Sequence, residues 1–272
     1  MGKSRASLPL PLISVVGQPM ANAAPAQEKP ELRTNARVKM TMQHDEQVLQ
    51  VLDLKVTLDG RVVVANLSFT VRQGEILTIL GPNGAGKTVL LRTLLGTLPY
   101  EGSIKWKTGT RIGYVPQRLP YIRNIPLTVA DFFALKRNAG NGVVEMLRAV
   151  GLGGDISMTL IGDLSSGQFQ RVLIAWALAG DPDVLLFDEP TTGVDIGGEE
   201  TVYALLARLH RERNLTMLIV THDLAVVHRH STTVLCLNQQ PVCQGPPLST
   251  LTPENLRRLY GSEVKFYEHR HE

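Results

Sequence analysis

The chain has 272 residues, of which 43% are hydrophobic, and a formal net charge of +3 at pH 7. This composition is typical of a globular protein with a buried core. No apolar run approaches the roughly 20 residues of a membrane-spanning helix, so we expect any membrane role to be peripheral. The small net charge favours neither nucleic acid nor anionic lipid as a partner.

The first part of the chain differs from the rest. Residues 1–45 are rich in Pro and Ala and lack hydrophobic periodicity, so we expect them to be disordered. They begin like a secretion signal, but Pro9 and Pro11 interrupt the apolar stretch. We therefore expect either an N-terminal extension or a true start at Met40 or Met42.

From residue 48 onward, strand-like and helix-like runs alternate along the chain. The strand-like runs are short and apolar, whereas the helix-like runs place apolar residues on one face. Such alternation predicts an α/β fold with a largely parallel sheet that helices cover on both faces. In chain order, the pattern predicts strands at 48–56, 62–71 and 75–80, a helix opened by a glycine-rich loop, a helix-rich stretch at 128–163, a helix at 168–179, a strand at 184–187, a helix at 199–213, a strand at 216–220 and a short helix at 252–261.

The glycine-rich loop follows the third predicted strand. Its sequence, GPNGAGKT, matches the pattern GxxxxGK[ST] at every fixed position. Glycines let successive backbone N–H groups turn toward phosphate oxygens, and the positive end of the next helix faces them. Lys87 would neutralise the outer phosphates, and the Thr88 hydroxyl would bind Mg²⁺. The predicted nucleotide-binding residues are Gly81, Pro82, Asn83, Gly84, Ala85, Gly86, Lys87, Thr88 and Val89.

Two acidic residues end a later strand. Asp188 and Glu189 follow the apolar run 184–187, which places both carboxylates at the carboxyl edge of the sheet, where α/β proteins bind ligands. With a phosphate loop in the same chain, Asp188 would hold Mg²⁺ through water. Glu189 would polarise the water that attacks the phosphate.

A capped helix start carries a family resemblance. In the stretch LSSGQFQR, Ser165 and Gln168 form a capping-box pattern, which predicts the first turn of a helix. Together with the loop and the acidic pair, this stretch resembles the signature motif of ATP-binding-cassette (ABC) ATPases. Gln117 is similar to the family's Q-loop glutamine, Asp195 to its D-loop aspartate and His222 to its switch histidine.

The resemblance implies a fold, cofactors and residue roles. The fold is an α/β P-loop NTPase of ABC type, with a RecA-like mixed sheet core, an antiparallel β subdomain and an inserted helical subdomain. The ATPase domain would span 46–261, the helical subdomain about 118–164, and a short tail 262–272. The cofactors are ATP and Mg²⁺. The implied roles are catalysis by Glu189, His222 and Gln117, magnesium binding by Thr88, Asp188 and Gln117, contact with ATP in trans by Ser165, Ser166, Gly167 and Gln168, and a D-loop contact by Asp195.

The resemblance also implies partners. In this family two cassettes sandwich two ATPs, and the chain has one copy of each motif, so it would pair as a homodimer or with a sister cassette. Separate transmembrane permease subunits would carry the cargo, and an extracytoplasmic metal-binding protein would deliver it. Nucleic acid is not an implied partner. The location would be the cytoplasmic face of the inner (plasma) membrane.

A finer resemblance concerns the cargo. Residues 111–117, 126–129 and 234–238 are similar to the ATP-binding subunit of bacterial high-affinity zinc importers. Manganese, iron or another cargo is the alternative within the same role. A soluble ABC protein acting on ribosomes or DNA is the alternative of a different class, but such proteins carry tandem cassettes or long coiled-coil inserts. His269 and His271 in the tail are expected to be a solvated end rather than a zinc sensor.

Some positions depart from the family pattern. Ser166 replaces the first glycine of the signature motif, and Trp176 stands where the family usually has arginine. The aromatic residue that stacks on adenine falls on Leu58 or Thr57, so we expect the base to be bound by apolar packing that includes Val63. Nothing in the sequence explains Trp176.

The segment between Gln117 and Leu164 is where such cassettes dock the permease. Phe132 and Phe133 are docking candidates there, with core packing as the equal alternative.

Two cysteines lie on either side of a predicted turn. Cys236 and Cys243 alternate with apolar residues, so we expect a hairpin with two small buried side chains. A metal pair is the alternative, although two ligands do not complete a zinc site. So few cysteines suit a reducing compartment.

Overall fold

The computed structural model describes residues 47–117, 125–136, 142–190 and 196–261, with side chains from residue 202 onward in the last range. The stretches 1–46, 118–124, 137–141, 191–195, which includes Asp195, and 262–272 lie outside the described residues. The strands are β1 Gln47–Leu58, β2 Arg61–Arg72, β3 Ile76–Leu80, β4 Glu101–Trp106, β5 Ile112–Val115, β6 Val184–Asp188, β7 Thr216–Thr221, β8 Thr233–Asn238 and β9 Gln240–Gly245. The helices are α1 Lys87–Leu94, α2 Val129–Ala134, α3 Val143–Ala149, α4 Ser166–Leu178, α5 Ile196–Arg213, α6 Leu224–His230, α7 Pro247–Thr250 and α8 Pro253–Tyr260.

The strands form two sheets. The larger one has the order β5-β6-β7-β3-β8-β9, in which the first five strands run parallel and β9 pairs antiparallel with β8. The smaller one, β2-β1-β4, is antiparallel. Strands β3, β6 and β7 are buried along their whole length, because helices or the second sheet cover both faces. The predicted mixed sheet with an antiparallel part is confirmed.

The central strands separate two hydrophobic cores. In β6, Leu185 and Phe187 point into a core with α4 and α5, whereas Leu186 points into a core with α1 and the three-stranded sheet. This alternation follows from the two-residue period of a strand. Helices α1 and α4 therefore lie on opposite faces of the same sheet, which decides how the functional motifs are arranged.

Sequence patterns anticipated the long elements better than the short ones. The predicted strands and helices between residues 48 and 95 and between 168 and 220 are present, with bounds that differ by a few residues. Strands β4 and β5 and helix α6 were not predicted. β4 has no buried residue and β5 has only four residues, so neither gives a clear periodic signal.

The two cysteines form a disulfide rather than a pair of separate thiols. Cys236 on β8 and Cys243 on β9 are register partners across the hairpin, with their Cα atoms 4.9 Å apart. The expected hairpin is present, but the prediction of two unlinked buried side chains is wrong. The antiparallel register explains the difference, since it places the two side chains directly opposite each other.

Core packing accounts for the two phenylalanines of α2. Phe132 is 6% exposed and Phe133 is 1% exposed, and both belong to the core that contains α4. Their side chains are therefore not a free docking surface in this structure. Within the described ranges, no helix combines the length and the apolar character needed to cross a bilayer.

Candidate functional site

The parallel sheet brings several predicted residues to one edge. Strands β3, β6 and β7 are neighbours in register, with Leu80 opposite Thr221 and Asp188 opposite Val220. The glycine-rich loop, Glu189 and His222 each come directly after one of these strands. Gln117 follows β5, the next strand outward, in the same way. Parallel strands thus deliver the loop, two carboxylates, an amide and an imidazole to the carboxyl edge.

Backbone contacts hold the glycine-rich loop from two sides. At the β8–β9 turn, the Gln239 N–H donates to the Ala85 carbonyl at 2.9 Å, and the Gln239 carbonyl accepts from the Ala65 N–H of β2 at 2.8 Å. Gly86 has a φ of 94° and opens α1 beside β2. A methyl group on Gly86 would lie 2.8 Å from the Val63 carbonyl oxygen. These contacts fix the shape of the loop at residues 81–88, which we call the cradle.

Lys87, the first residue of α1, is buried at the centre of this cradle. Its side chain is 5% exposed, and its ammonium donates to the carbonyl oxygens of Gly81 at 2.7 Å and Pro82 at 3.0 Å. A Glu189 carboxylate oxygen lies 3.7 Å away. Burial lowers the pKa of Lys87, while Glu189 and Asp188 act in the opposite direction. The ammonium is thus held by weak acceptors that an anionic ligand can replace.

The Thr88 hydroxyl and Asp188 form a second part of the site. Thr88 Oγ1 donates to Asp188 Oδ1 at 3.0 Å, and Asp188 is 2% exposed. Burial raises the pKa of Asp188, whereas the Thr88 hydrogen bond lowers it. A buried carboxylate beside a hydroxyl oxygen is a donor set that suits Mg²⁺, because that cation prefers oxygen ligands and would offset the cost of burying the charge.

Glu189 is the residue on which the other side chains converge. Its carboxylate accepts from Gln117 Nε2 at 2.8 Å, and His222 Nδ1 lies 3.6 Å from the other oxygen. The Glu189 backbone has a φ of 48°, in the left-handed region, and its N–H donates to the Val220 carbonyl at 3.0 Å. Such a conformation costs about 1–2 kcal/mol and is maintained where the position of a side chain matters.

Further residues support the site although the sequence motifs did not indicate this. The side chain of Tyr114 on β5 lies close to Asp188 and to Arg92 of α1, and both affect its pKa. Burial raises the pKa of Tyr114 to about 12, and Asp188 acts in the same direction, so the phenol remains a donor at neutral pH. Only its place in the stretch before Gln117 marked Tyr114 in the sequence. For Gln239 the sequence indicated only a turn and no contact with the loop.

The predicted signature residues lie apart from this cluster. Ser165 caps α4, with its hydroxyl accepting from the Gln168 N–H and the Gln168 amide oxygen accepting from the Ser165 N–H. Ser166 is the first residue of α4, and among the described residues no atom lies within 4 Å of a methyl group added to Gly167. Because α4 and α1 cover opposite faces of the sheet, this helix tip lies apart from the loop, with Ser165 and Ser166 exposed.

A single methyl group at Gly81 is expected to disrupt the loop. In Gly81→Ala the added carbon would lie 2.0 Å from the Leu237 carbonyl oxygen of β8, a backbone atom that cannot yield cheaply. We expect the free energy of unfolding to fall by about 3 kcal/mol, the upper range for overpacking.

Gly84→Ala is the matched control in urea unfolding. Its φ is 80°, but the added methyl group has open space, so only backbone strain of about 1 kcal/mol is expected. Equal losses for the two variants would show that contact with β8 does not hold the loop.

Comparisons with known proteins identify the family. Residues 64–192 match the ABC transporter family model. The zinc import ATP-binding protein ZnuC of Paracoccus denitrificans (strain Pd 1222) is 42% identical over 224 residues, which are 80% of this chain and 88% of that protein. The chain belongs to the ABC transporter family. ZnuC of Brucella abortus (strain 2308) is 38% identical over 231 residues, which are 83% of this chain and 77% of that protein.

A solved ABC structure supports the assignment of the fold. CbiO1 from Clostridium perfringens, part of the ABC transporter complex CbiONQ, aligns with a TM-score of 0.67 and 26% identity. The alignment covers 78% of this chain and 94% of that one. The ABC fold that the motifs implied is therefore confirmed, and the glycine loop, the acidic pair and the capped helix all lie within residues 64–192, which match the family model.

The expected base-binding residues lie at the border of the antiparallel sheet. Leu58 ends β1 and is partly buried, and Val63 of β2 lies against Gly86 of the loop. An ABC protein with aliphatic side chains in this place offers the base apolar contact without ring stacking. These positions stay a prediction for the adenine site.

Proposed function

We propose that this chain is the ATP-hydrolysing subunit of an ABC importer that takes up a divalent metal ion. We propose zinc as this ion, because the chain resembles zinc import ATP-binding proteins. The observation that carries the proposal is the convergence of Lys87, Gln117 and His222 on the Glu189 carboxylate beside a phosphate-binding loop. The high identity to zinc import ATP-binding proteins supports zinc as the cargo.

In this proposal the site binds ATP in the cradle and hydrolyses it. The loop N–H groups and the start of α1 face the phosphates, and Lys87 exchanges the Gly81 and Pro82 carbonyls for phosphate oxygens. The Thr88 hydroxyl, Asp188 through water, and Gln117 would hold Mg²⁺, whose charge would offset the negative charge of the phosphates.

Glu189 then acts as the general base. It takes a proton from the water that attacks the γ-phosphorus, the bond to the β-phosphate oxygen breaks, and ADP and phosphate are the products. Gln117 donates to the Glu189 carboxylate at 2.8 Å, and His222 would contact the γ-phosphate. His222 is 64% exposed, so it can move toward a ligand without leaving a packed position.

A second copy completes each site in this proposal. The exposed tip formed by Ser165, Ser166, Gly167 and Gln168 would close over ATP bound in the loop of the partner. The positive end of helix α4 suits a phosphate. Asp195 would contact the partner as the D-loop residue.

The remaining partners follow from the transport role. Transmembrane permease subunits would bind the dimer at the cytoplasmic face of the membrane, and an extracytoplasmic protein would supply the metal ion. Members of the family that act as importer subunits work with permeases, which supports the first of these partners.

Reconstitution tests the proposal. The chain is assembled with permease subunits in lipid vesicles, and phosphate release and metal uptake are measured with zinc, manganese or iron. We expect hydrolysis to require Mg²⁺, to rise when permease is added, and to drive zinc uptake. Manganese or iron uptake without zinc uptake would correct the cargo, and capture of ribosomal RNA without any effect of permease would overturn the transport role.

A further inference from the structure

One side chain ties α2 to the far end of the signature helix α4. Lys136 follows α2, and its ammonium donates to the Trp176 carbonyl at 2.7 Å, with the Ala177 carbonyl at 3.4 Å. Both carbonyls belong to the last turn of α4, which has no basic residue of its own there. A cation at this end interacts favourably with the helix dipole, and it adds a second partner to the Trp176 carbonyl, which also accepts from the Ala179 N–H at 3.3 Å.

The Trp176 side chain forms a second contact between the same two helices. Its ring lies 5.5 Å from the ring of Phe132 on α2, at an angle of 31°. The Lys136 ammonium lies 4.6 Å from the centre of the Trp176 ring, a cation–π contact. The indole therefore contacts both an aromatic ring and an ammonium group from the α2 segment.

This contact between α2 and α4 consists of Lys136, Trp176 and Phe132. It is unusual because it includes a half-buried lysine. Burial lowers the pKa of Lys136, and in the described part of the chain no carboxylate forms an ion pair with it. An apolar residue would fill such a place at lower cost in desolvation. The lysine makes the position of α2 against α4 specific, because its ammonium group binds the carbonyls of one helix turn and an apolar side chain cannot.

The last turn of α4 also rests on the strand that leads to Gln117. A methyl group on Gly113 of β5 would lie 3.0 Å from the Ala177 carbonyl oxygen, so strand and helix are in close contact. Helix α4 has 13 residues, which makes it about 20 Å long and stiff. A shift or tilt of its last turn therefore moves Ser165 and Gly167 at its first turn.

We propose that Lys136 and Trp176 are positioning residues that set the orientation of the signature tip, so that movement of α2 changes how readily two copies close on ATP. This inference rests on the proposed function, in which the tip acts in trans. It also gives Trp176 a role that the sequence did not explain.

The test measures two affinities in a Glu189→Gln background, where bound ATP persists. Lys136→Met removes the charge and keeps an unbranched stem, and Trp176→Leu removes the ring and keeps the carbonyls. We expect each change to weaken ATP-dependent dimerisation about tenfold, the size of one charge-assisted contact, while binding of a fluorescent ATP analogue to the monomer changes less than about twofold. Trp176→Phe keeps an aromatic ring in contact with Phe132 and Lys136. It should therefore retain most of the dimerisation that Trp176→Leu loses.

Control variants separate this role from simple stability. Lys105→Met makes the same chemical change at an exposed position of β4 and should leave both affinities unchanged. If Lys136→Met does not fold, Trp176→Leu against Trp176→Phe decides the same point. Unchanged dimerisation in the folded variants, with only a lower melting temperature, would overturn the inference. If the Glu189→Gln parent itself bound ATP without dimerising, the proposed function would fail instead.

Discussion

Replacement of Glu189 by Gln is expected to lower the rate of ATP hydrolysis by about 10³-fold, within the range of general-base catalysis, and to leave ATP binding nearly intact. The amide has the shape of the carboxylate and can still accept a hydrogen bond from Gln117, which lies 2.8 Å away in the wild type. It cannot take a proton from water at neutral pH. Phosphate release and binding of a fluorescent ATP analogue measure the two quantities.

Glu212→Gln is the control for this change. Glu212 is an exposed carboxylate near the end of α5 and belongs to none of the predicted motifs, so its replacement should leave turnover unchanged. Hydrolysis by the Glu189 variant at near the wild-type rate would remove this residue from the role of base. Loss of nucleotide binding would show instead that the carboxylate organises the cradle.

Replacement of Lys87 by Met is expected to weaken ATP binding by about 30-fold or more, the usual cost of removing one partner from a buried charge pair. The ammonium is the cation at the centre of the loop, where it is 5% exposed and little screened by solvent. Methionine fills much the same space without charge or donors. Loss of the Lys87 ammonium should also reduce the rate of ATP hydrolysis, because no other cation of the loop faces the outer phosphates.

Lys105→Met gives the matched comparison, since it removes a lysine charge from the exposed β4 strand. Isothermal titration with ATP and Mg²⁺ measures both variants against the wild type. If the Lys87 and Lys105 variants bound ATP equally well, the cradle would not use the lysine for the phosphates, and the wild-type contacts with the Gly81 and Pro82 carbonyls would be structural only.

Motifs with strict chemical requirements made the edge of the sheet predictable. A phosphate loop needs glycines in fixed places, and a buried strand tolerates carboxylates only at its end, so Lys87, Asp188 and Glu189 could be placed from the sequence. The parallel register then brings them together.

Contacts between distant elements could not be predicted in the same way. The hydrogen bond of Gln239 with the loop, the network of Tyr114 and the disulfide of Cys236 depend on how a hairpin or strand packs against its neighbours. These residues lack a periodic or spacing signal, because a backbone contact places no demand on side-chain type. Lys136 is a similar case, since any sequence pattern would assign a lysine after a helix to the surface.

Sedimentation of the Glu189→Gln variant tests the central claim, that two chains close one ATP site. With ATP and Mg²⁺ we expect a particle of twice the chain mass, and with ADP a monomer. Adding Gly167→Arg, at a tip where an added Cβ meets no atom of the described residues within 4 Å, should leave monomer binding of ATP intact and abolish the dimer. A variant that binds ATP and stays monomeric, or a dimer that tolerates Gly167→Arg, would contradict the claim.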